Sequence, residues 1–193
     1  MKNLLFLVVF CFLACKSEIK TKDKISASLP ILEIHDFSGI QPYLNIDGSK
    51  TYIVNFWATW CAPCVKELPY FEAIQANYPK DVEVLLISLD FPRQYESKLK
   101  PFIQKHQIKS KVIVLDDPDM NSWIPKVNVD WDGAIPVTLI YNNSKRTFYN
   151  RTFSYDELES ELETFLIINF SISLYALSVF TTIVEFSSII LFK

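Results

Sequence analysis

Two cysteines three positions apart, Cys61 and Cys64, directly follow a short apolar run with the composition of a buried strand. The run covers residues 52–56, and residues 57–64 read WATWCAPC. A helix that begins at the cysteines places both sulfurs on one side, with Cα atoms inside the roughly 4.4–6.8 Å window that a disulfide requires. The segment therefore predicts a strand–turn–helix unit whose two thiols can open and close a bond without moving the fold.

The position of each cysteine in the predicted helix gives it a different role. Cys61 lies at the helix N-terminus, where free backbone N–H groups and the positive end of the helix dipole favour a thiolate, so we expect it to be the nucleophile. Cys64 lies about one turn deeper and suits attack on the mixed disulfide formed at Cys61. Pro63 falls in the first turn, where its missing N–H costs nothing, and it stiffens the link between the sulfurs.

Two other roles for the cysteine pair stay open. A four-coordinate zinc site needs two further Cys or His at matching spacing, and the two histidines, His35 and His106, stand far apart and alone. A permanent structural disulfide is the second alternative, although a bridge across so short a loop removes little entropy from the unfolded chain. We predict no metal site and no cofactor other than a redox-active Cys61–Cys64 disulfide.

Composition indicates one well-buried domain with terminal additions. Of the 193 residues 50% are hydrophobic and 21% are charged, which is enough apolar material for a core. The formal net charge is −3 and the lysines are scattered along the chain. Because no basic patch is formed, we predict that the protein does not bind nucleic acid.

The N-terminus has the pattern of an export signal. After one Lys, an apolar run of eleven residues covers 4–14, which is too short for a membrane span. The run ends in Leu-Ala-Cys-Lys, which resembles a bacterial lipobox and would make Cys15 the lipidated first residue of the mature chain. Phe12 stands where that motif usually has Leu, so simple cleavage and an uncleaved anchor are the alternatives. Lipidation, simple cleavage and an uncleaved anchor all predict an extracytoplasmic protein on the periplasmic side, where disulfides persist. Lipidation would also tether the protein to the membrane.

The rest of the chain divides into a tether, a domain and a tail. Residues 16–28 are polar and aperiodic, which predicts a tether after the signal segment 1–15. The folded domain is expected over residues 29–166, followed by a hydrophobic C-terminal extension over 167–193. The stretch 164–184 has no charge and is long enough to cross a bilayer, but seven of its 21 residues are Ser, Thr or Asn. A membrane span and a tail that does not span both stay open.

Apolar runs alternate with helix-like segments, which predicts a layered α/β domain with a largely parallel central sheet. Residues 145–153 follow Asn-Asn-Ser and are expected to form an antiparallel hairpin with the strand before them. Strands are predicted over 51–57, 82–89, 112–115 and 137–141, and helices over 62–77, 93–107 and 155–166.

Three motifs indicate a family. A strand precedes Trp-Cys-x-x-Cys, the pattern Cys-x-x-Cys-x-x-Glu-x-Pro ends at Pro69, and Gly-Ala-Ile-Pro-Val-Thr occupies residues 133–138. Over about residues 29–166 the chain resembles the thioredoxin superfamily, and within it the membrane-tethered TlpA/ResA-like thiol-disulfide oxidoreductases. The resemblance implies a thioredoxin-like α/β fold, in which helices flank a central mixed sheet.

The resemblance also implies roles for residues outside the cysteine pair. The Ile135–Pro136 peptide bond would be cis and face the sulfurs, where its backbone would pair with a bound substrate chain. Cytosolic thioredoxins carry a buried Asp in the strand before the motif, where this chain has Asn55. The resembled branch places a Glu three residues after the second Cys instead, which makes Glu67 the expected acid/base for Cys64. The alternative is a solvated carboxylate paired with Lys66 or another neighbour.

Aromatic residues near these motifs predict an apolar docking surface for polypeptide. Trp60 abuts Cys61 and Trp131 precedes the proline loop, whereas Trp57 is assigned to the core. Together with Trp60 and Trp131, the predicted substrate-binding residues are Ala62, Pro63, Ile135 and Pro136.

The sequence therefore predicts an extracytoplasmic thiol-disulfide oxidoreductase that reduces protein disulfides, with Cys61, Cys64 and Glu67 as catalytic residues. Expected partners are disulfide-containing proteins, the membrane through the lipid and the C-terminal segment, and a membrane thiol electron donor that the resemblance implies. A disulfide oxidase or isomerase is the first alternative, because Ala62 and Pro63 do not fix the reduction potential. A redox-inert binding or metal-delivery module is the second, although the scarcity of Met disfavours copper delivery.

Overall fold

The computed structural model of the chain describes residues 30–166, which contain one six-stranded sheet. The strands are β1 (Glu33–His35), β2 (Thr51–Trp57), β3 (Val82–Ser88), β4 (Lys111–Leu115), β5 (Val137–Tyr141) and β6 (Arg146–Tyr149). Their order across the sheet is β1–β4–β3–β2–β5–β6. Strands β1, β4, β3 and β2 run parallel to one another, β5 pairs antiparallel with β2, and β6 pairs antiparallel with β5. The predicted mixed sheet is therefore confirmed.

Helices cover both faces of the sheet. Among the described residues, no helix is both long enough and apolar enough to cross a bilayer. The predicted signal segment 1–15 with Cys15, the tether 16–28 and the extension 167–193 lie outside residues 30–166 and stay predictions.

The helices are α1 (Phe37–Ile40), α2 (Ala62–Asn77), α3 (Lys100–Lys105), α4 (Met120–Val127) and α5 (155–166), with 3-10 turns at Gln41–Leu44 and Pro92–Gln94 and a π turn at Tyr95–Leu99.

Strand β2 organises two cores, because successive side chains of a strand point to opposite faces of the sheet. Ile53 and Trp57 pack with side chains of α2, α3 and α5, whereas Val54 and Phe56 pack with those of α1 and α4. All seven residues of β2 are buried. Burial of each large apolar side chain contributes about 1.5–3 kcal/mol, so both faces of this strand stabilise the three-layer arrangement.

The carboxyl ends of the parallel strands meet at one edge of the sheet, and this edge carries the cysteine pair. Strand β2 ends at Trp57, a short turn follows, and α2 begins at Ala62. The ends of β3 and β4 lie beside this turn, since β3 pairs with both β2 and β4. In open α/β sheets, ligands bind at such an edge.

Two predicted elements differ from the observed ones. The hairpin strand is shorter than predicted, because after Tyr149 the chain leaves the sheet and the backbone N–H of Phe153 donates to a side chain of α2 instead of to β5. The single helix predicted over 93–107 is divided into 3-10, π and α segments. Pro101 has no N–H to donate, which interrupts a regular α-helical hydrogen-bond pattern in this segment.

Candidate active site

The sulfurs of Cys61 and Cys64 are joined at the N-terminus of α2, with the two Cα atoms 5.3 Å apart. Cys61 is the N-cap residue, and its Sγ accepts a hydrogen bond from the backbone N–H of Cys64 at 3.3 Å. Cys61 is 6% exposed, whereas Cys64 is completely buried. The structure thus places one sulfur at the helix tip and the other inside, in the order that the sequence predicts.

The Ile135–Pro136 peptide bond is cis, as the resemblance implies, and lies immediately before β5. The carbonyl oxygen of Ile135 is 3.7 Å from the Sγ of Cys61. Ile135 is partly exposed, and Ala62 and Pro63 in the first turn of α2 are exposed, whereas Pro136 is buried. The outer sulfur therefore lies between the tip of α2 and the backbone of the loop that contains the cis-proline.

Trp131 is not part of the docking surface, so this prediction was wrong. Its side chain is 5% exposed, and its ring packs against Phe56 and Trp123 at centroid distances of 5.0 and 5.6 Å. The indole N–H donates to the carbonyl oxygen of Ala134 at 2.7 Å. Trp131 therefore holds the proline loop from the core, because its ring is buried and its indole N–H is bonded to the backbone of the loop.

Trp60 and Trp57 have opposite environments, as predicted. Trp57 is completely buried, whereas Trp60 is 51% exposed and stacks on Phe91 with ring centroids 6.1 Å apart. Trp60, Phe91 and Ile135 line a cavity of about 480 Å³ next to the cysteine pair. Of the two predicted docking tryptophans, only Trp60 presents its ring to this surface.

Glu67 is buried, which contradicts the alternative of a solvated carboxylate. It is 1% exposed, and it accepts hydrogen bonds from the Asn55 side-chain amide at 3.0 Å and from the backbone N–H of Phe153 at 2.9 Å. Burial raises the pKa of Glu67 to about 7, although both hydrogen bonds favour the carboxylate. A carboxyl group that titrates near neutral pH, one turn after Cys64, is suited to proton transfer.

Asn55 connects Glu67 to the sheet, which sequence reasoning did not predict. Its amide nitrogen donates to the Thr138 hydroxyl at 3.1 Å as well as to Glu67, so α2 is linked to β2 and β5. Its amide oxygen is buried and has no hydrogen-bond partner among the described residues. Rotation of this amide would offer the oxygen as an acceptor to a protonated Glu67, so Asn55 can form a hydrogen bond with either protonation state of Glu67.

Asp90 supports the turn before the cysteines and was also missed. It follows β3 and is only 2% exposed. Its carboxylate accepts hydrogen bonds from the backbone N–H of Thr59 at 3.0 Å, from the Thr59 hydroxyl, and from the Ser88 hydroxyl at 2.9 Å. Because Thr59 lies two residues before Cys61, these bonds fix the segment that presents the outer sulfur. The only local signal was an Asp directly after an apolar strand.

Over residues 30–166, no group of three or more His, Cys, Asp or Glu side chains is arranged to hold a metal ion. His35 lies on β1 and bonds to Glu33 at 2.9 Å, and His106 stacks on Phe102 at the end of α3. Each histidine takes part in local packing or hydrogen bonding.

A disulfide at the tip of a helix, next to a cis-proline loop and on a mixed sheet between helices, defines a thioredoxin-like redox protein. The sequence model described as the AhpC/TSA family matches residues 39–146. The chain belongs to this family.

Curated relatives carry the name thiol-disulfide oxidoreductase ResA. The protein from Bacillus cereus is 31% identical over 96 residues, which are 49% of this chain and 54% of that protein. The protein from Geobacillus kaustophilus is 26% identical over 149 residues, which are 75% of this chain and 80% of that protein. The chain thus spans about half of the first relative and most of the second. These relatives bear out the predicted class, a thiol-disulfide oxidoreductase.

A solved structure supports the fold. The thioredoxin-related protein from Neisseria meningitidis serogroup B superposes with a TM-score of 0.52 at 21% identity, covering 61% of this chain and 85% of that one. The predicted thioredoxin-like fold is confirmed.

Proposed function

We propose that this protein is an extracytoplasmic, membrane-tethered reductase of disulfides in other proteins. The observation that carries the proposal is the position of Cys61, which is 6% exposed at the tip of α2 and 3.7 Å from the carbonyl oxygen of Ile135, while its partner Cys64 is completely buried. A polypeptide that approaches can reach only one of the two sulfurs. The names of the relatives from Bacillus cereus and Geobacillus kaustophilus support thiol-disulfide exchange as the reaction.

The reaction begins from the dithiol form. The Cys61 thiolate attacks one sulfur of a substrate disulfide, which forms a mixed disulfide and releases the other substrate sulfur as a thiolate that takes up a proton. Cys64 then loses its proton and attacks the Cys61 sulfur, which releases the second substrate thiol. Two electrons pass to the substrate, and the protein is left with the Cys61–Cys64 disulfide.

Glu67 is proposed to move the proton in the second step. Its ionised carboxylate takes the proton of the Cys64 thiol and returns it to solvent or to the departing substrate thiolate. A pKa of about 7 supports this role, because both protonation states are then populated near neutral pH. The Asn55 amide and the Phe153 N–H hold the carboxylate in place during this transfer.

The dithiol form must be regenerated by an electron donor, for which we propose a membrane thiol carrier. The net direction depends on the reduction potential of the Cys61–Cys64 pair relative to its partners. A measured potential below about −200 mV supports reduction of substrates, whereas a higher value supports the disulfide oxidase or isomerase alternative.

Insulin reduction with dithiothreitol tests the activity. The parent protein should accelerate precipitation of the insulin chains, and Cys61→Ser should be inactive. Cys64→Ser is the matched control, because it keeps the nucleophile and should accumulate a mixed disulfide with insulin instead of turning over. Equal rates for the parent and Cys61→Ser would exclude thiol catalysis.

Export and tethering are tested separately. A cell fed with a labelled fatty acid should incorporate it into the parent protein but not into Cys15→Ser. If both variants stay unlabelled while the N-terminal segment is removed, simple cleavage replaces lipidation as the mode of export.

A further inference from the structure

An apolar groove continues from the cysteine pair across the sheet edge. Three of its lining side chains, Trp60, Phe91 and Met120, are 51%, 51% and 44% exposed, and they are half of the six large apolar side chains found exposed in residues 30–166. The groove adjoins Ile135, whose carbonyl oxygen lies beside Cys61, so it is continuous with the reactive site. Exposed apolar groups concentrated in one place indicate a binding surface.

Carboxylates line the same groove. Asp90, Asp116 and Asp117 contribute to its wall, and Asp116 is exposed. No Lys, Arg or His within residues 30–166 forms an ion pair with any of the three. The segment 115–120 reads LDDPDM and contains no basic residue. Asp90 is buried and Asp117 is half-buried, so Asp116 supplies the exposed negative charge beside the apolar floor of the groove.

The aromatic face at this groove already accepts a cation from the protein itself. The guanidinium carbon of Arg93 lies 5.7 Å from the centroid of the Phe91 ring. A Lys or Arg of a bound chain would gain both from such rings and from the nearby carboxylates. An acidic chain or an anionic lipid surface would be repelled.

We propose that this groove binds the part of a substrate polypeptide that flanks its disulfide, and that it selects segments carrying an apolar side chain together with Lys or Arg. The inference rests on the proposed function, because exchange at Cys61 requires the flanking chain to lie between Trp60 and Ile135. Trp60 and Ile135 line the same cavity as Met120 and Asp116. Apolar contacts supply affinity, and the carboxylates supply discrimination by charge.

Two synthetic peptides test the inference. Each carries one Cys as a mixed disulfide with thionitrobenzoate and one Leu next to it, and the two differ only in having Lys or Glu at the positions flanking this pair. In a single turnover, the reduced full-length protein in a non-ionic detergent should release thionitrobenzoate from the Lys peptide with a second-order rate constant about three- to tenfold higher than from the Glu peptide. The preference should shrink at high salt, since exposed charges are screened.

Substitutions show which residues cause the preference for the Lys peptide. Asp116→Asn should reduce the preference for the Lys peptide, and Asp116→Lys should abolish or reverse it. Asp81→Asn is the matched control, because it removes the same charge from an exposed residue that precedes β3, at the opposite end of the strand from the groove. Phe91→Ser should slow both peptides equally, since the apolar floor serves either one.

The outcomes separate the inference from the proposed function. If no peptide is attacked and Cys61→Ser behaves like the parent, the proposed function fails. If both peptides are reduced through Cys61 at equal rates, or if Asp81→Asn changes the preference as much as Asp116→Asn does, the selection for cationic segments is overturned while the reductase activity stands.

Discussion

The Asp90 carboxylate accepts hydrogen bonds from both the backbone N–H and the hydroxyl of Thr59. Asp90 follows β3 and Thr59 lies in the turn between β2 and α2, so one buried carboxylate connects two neighbouring strand ends. The backbone N–H of Cys61 closes the same turn by donating to the carbonyl oxygen of Ala58 at 3.1 Å. The position of the outer sulfur of Cys61 therefore depends on a residue that takes no part in the sulfur chemistry.

Replacement of Thr59 tests this dependence. Thr59→Val keeps the shape but removes the hydroxyl donor to a buried carboxylate, so the free energy of unfolding should fall by about 1–3 kcal/mol. The kcat/KM for insulin should fall as well, because Cys61 is held less firmly. Thr59→Ser retains the hydroxyl and is the control. Urea unfolding of the oxidised proteins and the insulin assay measure the two effects, and equal behaviour of Val and Ser variants would contradict the prediction.

The pKa of Glu67 predicts how stability depends on pH. The folded protein keeps this proton up to about pH 7, whereas the unfolded chain loses it near 4.5. Between these values the folded state binds more protons, so the free energy of unfolding should decrease as the pH rises from about 4.5 to 7, by up to about 3 kcal/mol. Glu67→Gln should lack this decrease.

Oxidised protein is used for this measurement, so that the thiols of Cys61 and Cys64 do not titrate. Glu163→Gln, at an exposed position of α5, makes the same chemical change at the surface and should follow the parent. A parent protein whose stability stays constant from pH 4.5 to 7 would show that Glu67 is already ionised in this range.

The unit formed by β2 and α2 was predicted best, because its local sequence specifies it most strongly. Strand β2 and helix α2 have the predicted bounds because an apolar run, a cysteine N-cap and Pro63 all act within a few residues. The hydrogen bonds around Glu67 could not be predicted in this way. Phe153 donates to Glu67 across 86 positions of sequence, and this contact exists only after α2 packs beside the loop that follows β6.

The error at Trp131 has a similar cause. Proximity in sequence to Pro136 indicated a surface role, but sequence proximity does not tell which face of the loop a side chain occupies. In the structure the ring packs against Phe56 and Trp123 in the core, and the indole N–H donates to the Ala134 carbonyl oxygen. The division of the helix predicted over 93–107 follows from Pro101, which removes a helical hydrogen bond. The spacing of apolar residues, from which the helix was predicted, does not show this effect.

Trp131 and Trp123 form a matched pair for a further prediction. Both are buried, and each donates its indole N–H to a backbone carbonyl, of Ala134 at 2.7 Å and of Asp117 at 3.1 Å respectively. Replacement of either by Phe should lower the free energy of unfolding by about 1–3 kcal/mol. Trp131→Phe should lower the kcat/KM for insulin more than Trp123→Phe does, because Trp131 bonds to the proline loop, whereas Trp123 lines the groove beside it. Equal losses of activity would contradict the role in positioning.

The different positions of Cys61 and Cys64 predict different rates of alkylation in the reduced protein. Cys61 is partly exposed and its Sγ faces the backbone N–H of Cys64 at the start of α2, which favours the thiolate, whereas Cys64 is completely buried. Iodoacetamide near neutral pH should therefore modify Cys61 at least about tenfold faster, as followed by mass spectrometry of the peptides that contain each residue. In urea the difference should disappear, because it comes from the fold and not from the local sequence. Equal rates in the folded protein would mean that the helix tip does not activate the outer sulfur, and the proposed order of attack would have no physical basis.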